Sequence, residues 1–292
     1  MIDSLSIIVP CLNEFDSVEK MVSNINETIG LDDYEIIIVN SGGTETSVIR
    51  KLPMVHIYDT PREGAPQARN FGANKASKDA LLFADAHLQF RHGWGPKILN
   101  DLKVNEDSVI TPCITVMDDE NRRACGFKWI NLDMEILWLP DLNSHVHEIP
   151  FACSCCMAVK KCMFDEIGQF DSGIRFWGEE DSEISMRAWL MGHRVLCDPY
   201  IRVGHMFRNS HPYDITWFDR TYNKIRLSLS HFSIERIQRH LTAISYTPDF
   251  DKILLKVVED RVLDRRDILF DKRIYDDDWF FETFPMDSWG TE

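Results

Sequence analysis

Several things are scarce in this chain of 292 residues, and each shortage removes a class of function. Positive charge comes first: 32 Lys and Arg stand against 47 Asp and Glu, a formal net charge of −15. Such a surface repels the phosphates of duplex nucleic acid and the headgroups of an anionic bilayer, so neither is expected as a partner. No apolar run approaches the roughly 18 residues needed to span a membrane. The opening Met1-Ile2-Asp3-Ser4 lacks the basic start and apolar stretch of a secretory leader, and a cytoplasmic location is expected. The eight cysteines show neither paired Cys-x-x-Cys knuckles nor a thioredoxin-type motif. Scattered through apolar sequence, they read as reduced thiols, and Cys153-Ser154-Cys155-Cys156 as small hydrophobes of a buried segment. Repeats and low-complexity linkers are absent too. What remains, 44% hydrophobic and 27% charged, is an ordinary globular composition.

The first half of the chain alternates strand and helix patterns. Residues 5–9 are continuously apolar and end at Pro10, as a buried parallel strand would. Val18, Met21, Val22, Ile25 and Ile29 then repeat at helical spacing, and Tyr34 to Val39 is a second buried strand. A weaker strand at 55–58, a helix at 66–76, a strand at 80–84, a helix at 93–102 and a strand at 108–115 continue the pattern. Such β-α-β units predict an α/β fold with a mostly parallel sheet and flanking helices. Residues 116–150 are irregular, with exposed-looking aromatic clusters around Phe127 to Trp129 and Leu137 to Leu139. A strand at 149–159, helices at 160–167 and 179–191, and a last strand at 195–203 follow. Helical periodicity dominates 215–243 and 250–269, so residues 1–210 are expected as a catalytic domain and 211–292 as a helical extension. The Asp276-Asp277-Asp278 run reads as a solvated tail, or, with Trp279, Phe280 and Phe281, as an ordered arm.

Chemistry concentrates at strand ends. Asp85-Ala86-His87 closes the strand at 80–84, and positions two apart on a strand point the same way. A carboxylate and an imidazole converging there suit a borderline divalent ion such as manganese; alone, they are equally a hydrogen-bonded surface pair. His205, just after the last strand, is a second candidate ligand, and a lone histidine is as well a structural one. The acidic run Glu179, Glu180, Asp181 and Glu183 opens a helix. It complements the helix dipole, or supplies a general base.

In combination these fragments become specific. The order of Asn13-Glu14, Arg62-Glu63-Gly64, Ala68-Arg69-Asn70, Asp85-Ala86-His87, Trp177-Gly178-Glu179-Glu180-Asp181 and Gly204-His205 resembles GT-A glycosyltransferases of family two. It is also similar to the catalytic domain of polypeptide N-acetylgalactosaminyltransferases, over roughly residues 5–208. The resemblance implies a Rossmann-like GT-A domain with a helical C-terminal extension, acting on a nucleotide-sugar, a UDP-sugar by this likeness. Pro10, Asn13, Glu14, Ser41 and Trp177 would line the donor pocket. Arg62 and Arg69 would approach the nucleotide or its diphosphate, and Asp85, His87 and His205 would hold Mn2+ or Mg2+.

Two departures from the family pattern stand out. Family-two enzymes commonly carry an Asp after the second strand, where this chain has Asn40-Ser41-Gly42-Gly43. The acidic motif has Asp181 where the N-acetylgalactosaminyltransferases carry Asn, which implies Asp181 as base, Glu180 as the second choice, and inversion at the anomeric carbon. The acceptor is a peptide side chain, a glycan or a small molecule, and the long C-terminal helices are able to support a homodimer. Two rivals are a non-catalytic nucleotide-sugar-binding scaffold and a sugar nucleotidyltransferase. The second expects a Gly-rich loop after the first strand, which Pro10-Cys11-Leu12-Asn13-Glu14 does not provide.

Overall fold

Strand β1 (Leu5–Cys11) is buried along nearly its whole length, as its unbroken apolar run requires. Helix α1 (Phe15–Thr28) buries Val18, Met21, Val22 and Ile25 and leads into β2 (Tyr34–Ser41), which pairs with β1 in parallel. β3 (Val55–Thr60) extends that side of the sheet, again in parallel. Helix α2 (Ala65–Lys75) crosses back, so that β4 (Ala80–Ala84) lies on the opposite side of β1. β5 (Leu88–Phe90), α3 (Trp94–Val104), β6 (Ser108–Val116) and β7 (Asp119–Ala124) come next, followed by a small hairpin of β8 (Phe127–Trp129) and β9 (Ile136–Trp138). β10 (His147–Glu148), β11 (Cys156–Lys160), α4 (Lys161–Glu166), α5 (Glu180–Leu190) and β12 (Arg194–His205) complete the sheet region. The computed structural model describes residues 2–43, 54–141, 145–208 and 214–286.

Among these residues the main sheet runs β10-β12-β6-β11-β4-β1-β2-β3, with β5 on β12 and β7 on β6. It is mixed. β11 lies antiparallel between β4 and β6, and β12 is parallel to β6. β1, β2, β4 and β12 therefore all end on one edge, the edge at which open α/β sheets receive ligands.

The C-terminal segment forms α6 (Trp217–His231), α7 (Ile234–Ile244), α8 (Phe250–Glu259), α9 (Val262–Lys272) and α10 (Asp277–Thr283). The helical pattern over 215–243 divides at Ser233, whose hydroxyl accepts from the Arg236 N–H and starts α7. These helices are tied to α5 by buried ions. Glu183 is fully buried, accepts from Arg187 Nε at 3.0 Å and Arg265 Nη2 at 2.8 Å, and lies 2.9 Å from His231 Nε2. Burial opposes its charge, but Arg187 and Arg265 hold Glu183 well below the usual carboxylate range. Asp171 in turn accepts from Arg226 Nε at 2.8 Å and pairs with Arg265 Nε at 3.1 Å.

Several expectations need correction. The run at 276–278 belongs to an ordered arm: Asp276 and Asp278 are exposed, but Asp277 is buried against Arg236, and Phe280 and Phe281 enter the core. Phe127 and Trp129 are buried, because the hairpin lays them on Phe151; only Leu137 and Trp138 of the aromatic clusters are exposed. The strand expected at 149–159 forms only over β11. Cys153 and Cys156 are buried as expected, whereas Cys162 is exposed. The boundary between residues 210 and 211 lies outside the described residues. No described helix is long and apolar enough to cross a membrane.

Phe280 is 1% exposed and stacks on Phe151 at 5.5 Å, whereas Trp217 is 72% exposed. Urea denaturation is expected to show Phe280→Ala losing about 3–5 kcal/mol. Trp217→Ala should stay within about 0.5 kcal/mol of the parent. A loss below about 1 kcal/mol at Phe280 would mean that α10 is not seated in the core.

Candidate active site

Asp85 and His87 follow β4 directly, with Ala86 turned into the packing between them. β5 begins at the next residue and pairs antiparallel with the end of β12, setting Leu88 opposite His205. That short pairing carries His205 to the Asp85–His87 pair from 118 residues along the chain. Each of the three presents a ligand atom, and all three atoms lie within 4.8 Å of one another. His205 Nε2 is 3.6 Å from Asp85 Oδ2, and the two imidazole centroids are 4.9 Å apart.

Behind this cluster stands a second layer. His87 Nδ1 lies 2.8 Å from Glu14 Oε2, which leaves Nε2 to face the cluster. Arg208 Nη2 donates to the same Glu14 oxygen at 2.7 Å. Burial works against the Glu14 charge, yet the contacts with His87 and Arg208 prevail and hold the carboxyl below its ordinary range. Glu14 therefore borders the cleft with its carboxylate engaged by His87 and Arg208. Asn13, with φ of 58°, is exposed.

Arg69 lines the cleft beside Asp85. Its guanidinium is buried, donating to Asp85 Oδ1 at 3.0 Å and to Glu180 Oε1 at 3.1 Å. It bridges the end of β4 to the start of α5. Burial of Asp85 is unfavourable to its charge, but His205 and Arg69 keep it ionised far below the usual range.

Two compartments meet at Asp85 and His87. One is lined by Pro10, Ser41, Arg62, Gly64, Phe176 and Trp177. Here Arg62 lies 5.6 Å over the Phe176 ring, and Ser41 donates to the Pro61 carbonyl at 3.2 Å. Gly64, at φ 129°, pairs backbone to backbone with Phe176, and a Cβ there would stand 2.7 Å from Phe176 Cα. The other compartment, with about 630 Å³ of free volume, is bordered by Trp138, Phe207, Glu179, Asp181, Arg220 and Lys224. The carboxylate missing after β2 has a neighbour on β3: Asn40 Nδ2 donates to Asp59 Oδ1 at 2.8 Å. Sequence reading overlooked Asp59, Phe176 and Arg208. Arg208 sits three residues past His205, and Phe176 adjoins Trp177, so adjacency was the available signal.

The two candidate bases separate cleanly. Glu180 is buried and fully engaged, with Arg69 on one oxygen and the Gly178 N–H on the other at 2.7 Å. Asp181 accepts from the Ser182 N–H at 3.0 Å and borders the larger compartment. Burial, with the charges of Glu180 and Glu179 beside it, pushes Asp181 up to about 8.

A mixed sheet whose strand ends gather a carboxylate and two imidazoles between two compartments defines an α/β fold with a candidate metal centre. The glycosyl transferase family 2 model matches residues 6–168, more than half of the chain, and the chain belongs to that family. Its curated relatives include the probable N-acetylgalactosaminyltransferase 6 of Caenorhabditis elegans, 30% identical over 208 residues, 65% of this chain and 34% of that protein. Human polypeptide N-acetylgalactosaminyltransferase 10 is 30% identical over 233 residues, 72% of this chain and 39% of its own. The chain thus spans about a third of the length of the curated relatives it matches. Among solved structures, GalNAc-T7 with UDP, GalNAc and Mn2+ aligns with a TM-score of 0.74 at 20% identity, covering 97% of this chain and 56% of that one. A Pyrobaculum calidifontis mannosyltransferase in complex with GDP-Man and Mn2+ aligns at 0.54 and 17% identity, covering 92% and 72%. The fold is shared with both.

Asp181 gives the protein a pH signature. Its folded pKa, about 8, lies above the unfolded carboxyl value of about 3.9, so between the two the folded state holds the extra proton. Its contribution to stability is therefore complete below about pH 4 and is lost as pH rises through about 8. Asp181→Asn should melt higher than the parent at pH 8, with the gap shrinking toward pH 4 in a pH series of thermal melts. A gap independent of pH would show that Asp181 ionises normally.

Proposed function

We propose that this chain transfers a sugar from a nucleoside-diphosphate donor, a UDP-sugar, to a nucleophilic side chain of a peptide acceptor. The observation that carries this reading is the convergence of Asp85, His87 and His205 where the two compartments meet. Residues 1–210 act as the catalytic domain and 211–292 as a helical extension braced against α5 through Glu183.

The donor set fits a divalent ion. A carboxylate with two imidazoles suits a borderline metal such as manganese, with magnesium as the harder alternative. His205 Nδ1 is buried with no hydrogen-bond partner among the described residues, and Glu14 holds His87 in one orientation. Once bound, the metal would neutralise the diphosphate as it departs from the anomeric carbon.

The remaining roles belong to side chains. Pro10, Ser41, Arg62 and Trp177 form the walls around the nucleotide, with Arg62 supplying positive charge on the rim. Arg69 fixes the Asp85 carboxylate. The acceptor lies in the larger compartment against Trp138 and Phe207, where Asp181 takes its proton as the new bond to the sugar forms and the bond to diphosphate breaks. A base on the acceptor side acts by in-line displacement, so the product is inverted. A peptide is favoured over a glycan or small molecule because relatives are named polypeptide N-acetylgalactosaminyltransferases.

The test is donor turnover. Purified protein incubated with UDP- and GDP-sugars is expected to release one nucleotide slowly with manganese and not with chelator. Asp85→Ala should lower that rate about 10²-fold or more. Asp181→Asn should slow transfer to a peptide about 10²–10⁴-fold while donor binding survives, and NMR of the product should show inversion. A retained configuration would remove Asp181 from the base role. Glu14→Gln should weaken manganese binding about 10–100-fold by calorimetry, through the loosened His87 ring. A folded protein that binds no donor would be a non-catalytic scaffold.

A further inference from the structure

A second set of ligand-type groups comes together outside the catalytic cleft. Cys113 lies on β6, Cys125 follows β7, Cys197 lies on β12, and Asp141 follows β9. The β6–β7 register sets Ile114 opposite Ala124, and one further step sets Cys113 across from Cys125. β12 runs beside β6 with Cys197 opposite Thr111. As a result the Cys113 and Cys125 sulfurs and an Asp141 carboxylate oxygen lie within 4.8 Å of one another. Cys197 is not one of the three groups that close to this distance. All three cysteines are fully buried, and the Asp141 side chain is 8% exposed.

The geometry is close to that of a metal shell. Zinc–sulfur bonds of about 2.3 Å place neighbouring ligand atoms of a tetrahedron about 3.8 Å apart. The observed cluster is thus at most about an ångström looser than that limit.

A disulfide between Cys113 and Cys125 would leave the Asp141 carboxylate out, whereas one thiophilic cation engages all three groups. Arg123 Nε, 2.9 Å from Asp141, and Arg202 Nη2, 3.9 Å away, offset the negative charge of a shell of two thiolates and one carboxylate.

We propose that Cys113, Cys125 and Asp141 are three protein ligands of a site for a thiophilic divalent cation, zinc by its ligand chemistry, which ties together β6, the end of β7 and the segment after β9. Binding releases the two thiol protons and changes no oxidation state. The site is independent of the Asp85 cluster and of the reaction assigned to it.

Cobalt titration of the reduced full chain tests this, because thiolate-bound cobalt gives a charge-transfer band that carboxylate and imidazole ligands do not. One equivalent of band is expected, displaced by zinc, unchanged in Asp85→Ala and lost in Cys113→Ser. Because a core Cys113→Ser chain can fail to fold, Asp141→Asn is the second arm, expected to keep the band with cobalt affinity lowered about 10–100-fold. No thiolate band in the reduced, folded parent would overturn the proposal. So would a non-reducing peptide map that finds Cys113 joined to Cys125 as the resting state, or an Asp141→Asn titration indistinguishable from the parent.

Discussion

One guanidinium sits between the two halves of the candidate site. Arg69 is buried and shared between Asp85, at the end of β4, and Glu180, at the start of α5. Without that cation, Asp85 would lose one of the groups that, with His205, offset the burial opposing its charge. The negative charge that makes Asp85 a candidate ligand thus depends in part on Arg69. Its two partners come from segments far apart in the chain, so the ion pairs also hold the sheet edge and α5 in register.

α5 is held from its other side as well. Glu183, one turn along, gathers Arg187, His231 and Arg265, and Asp171 gathers Arg226 and Arg265. Removing one member of such a cluster leaves a buried charge unmatched, which is far more disruptive than losing a surface pair. The C-terminal helices are therefore part of what positions Asp181, through a chain of contacts running from α9 to the mouth of the cleft. A helix start crowded with acids keeps its shape only because cations are packed behind it.

Much of this architecture was legible in the sequence because the informative residues obey local rules. The apolar run of β1, the two-residue spacing of Asp85 and His87, and the helical stripe of α1 each report on a few neighbouring positions. What escaped was set by pairing between distant segments. Nothing near Arg69 in the chain reveals that it will find both Asp85 and Glu180, 16 and 111 positions away. The acidic–aromatic stretch around Asp277 looked solvated until Arg236 supplied a partner for it. The convergence of Cys113 and Cys125 was equally invisible, because it arises from strand register and not from spacing along the chain.

The close approach of Gly64 to Phe176 bears on how the wall of the smaller compartment can change. With no room for even one added carbon, position 64 is closed to substitution unless two loops shift at once. Single mutations that reshape that compartment must therefore arise elsewhere on its wall, at Arg62, Ser41 or Phe176, where side chains already border the space. Variation would accordingly be channelled through a few neighbouring positions. Glycine at 64 would stay as the fixed point around which they vary.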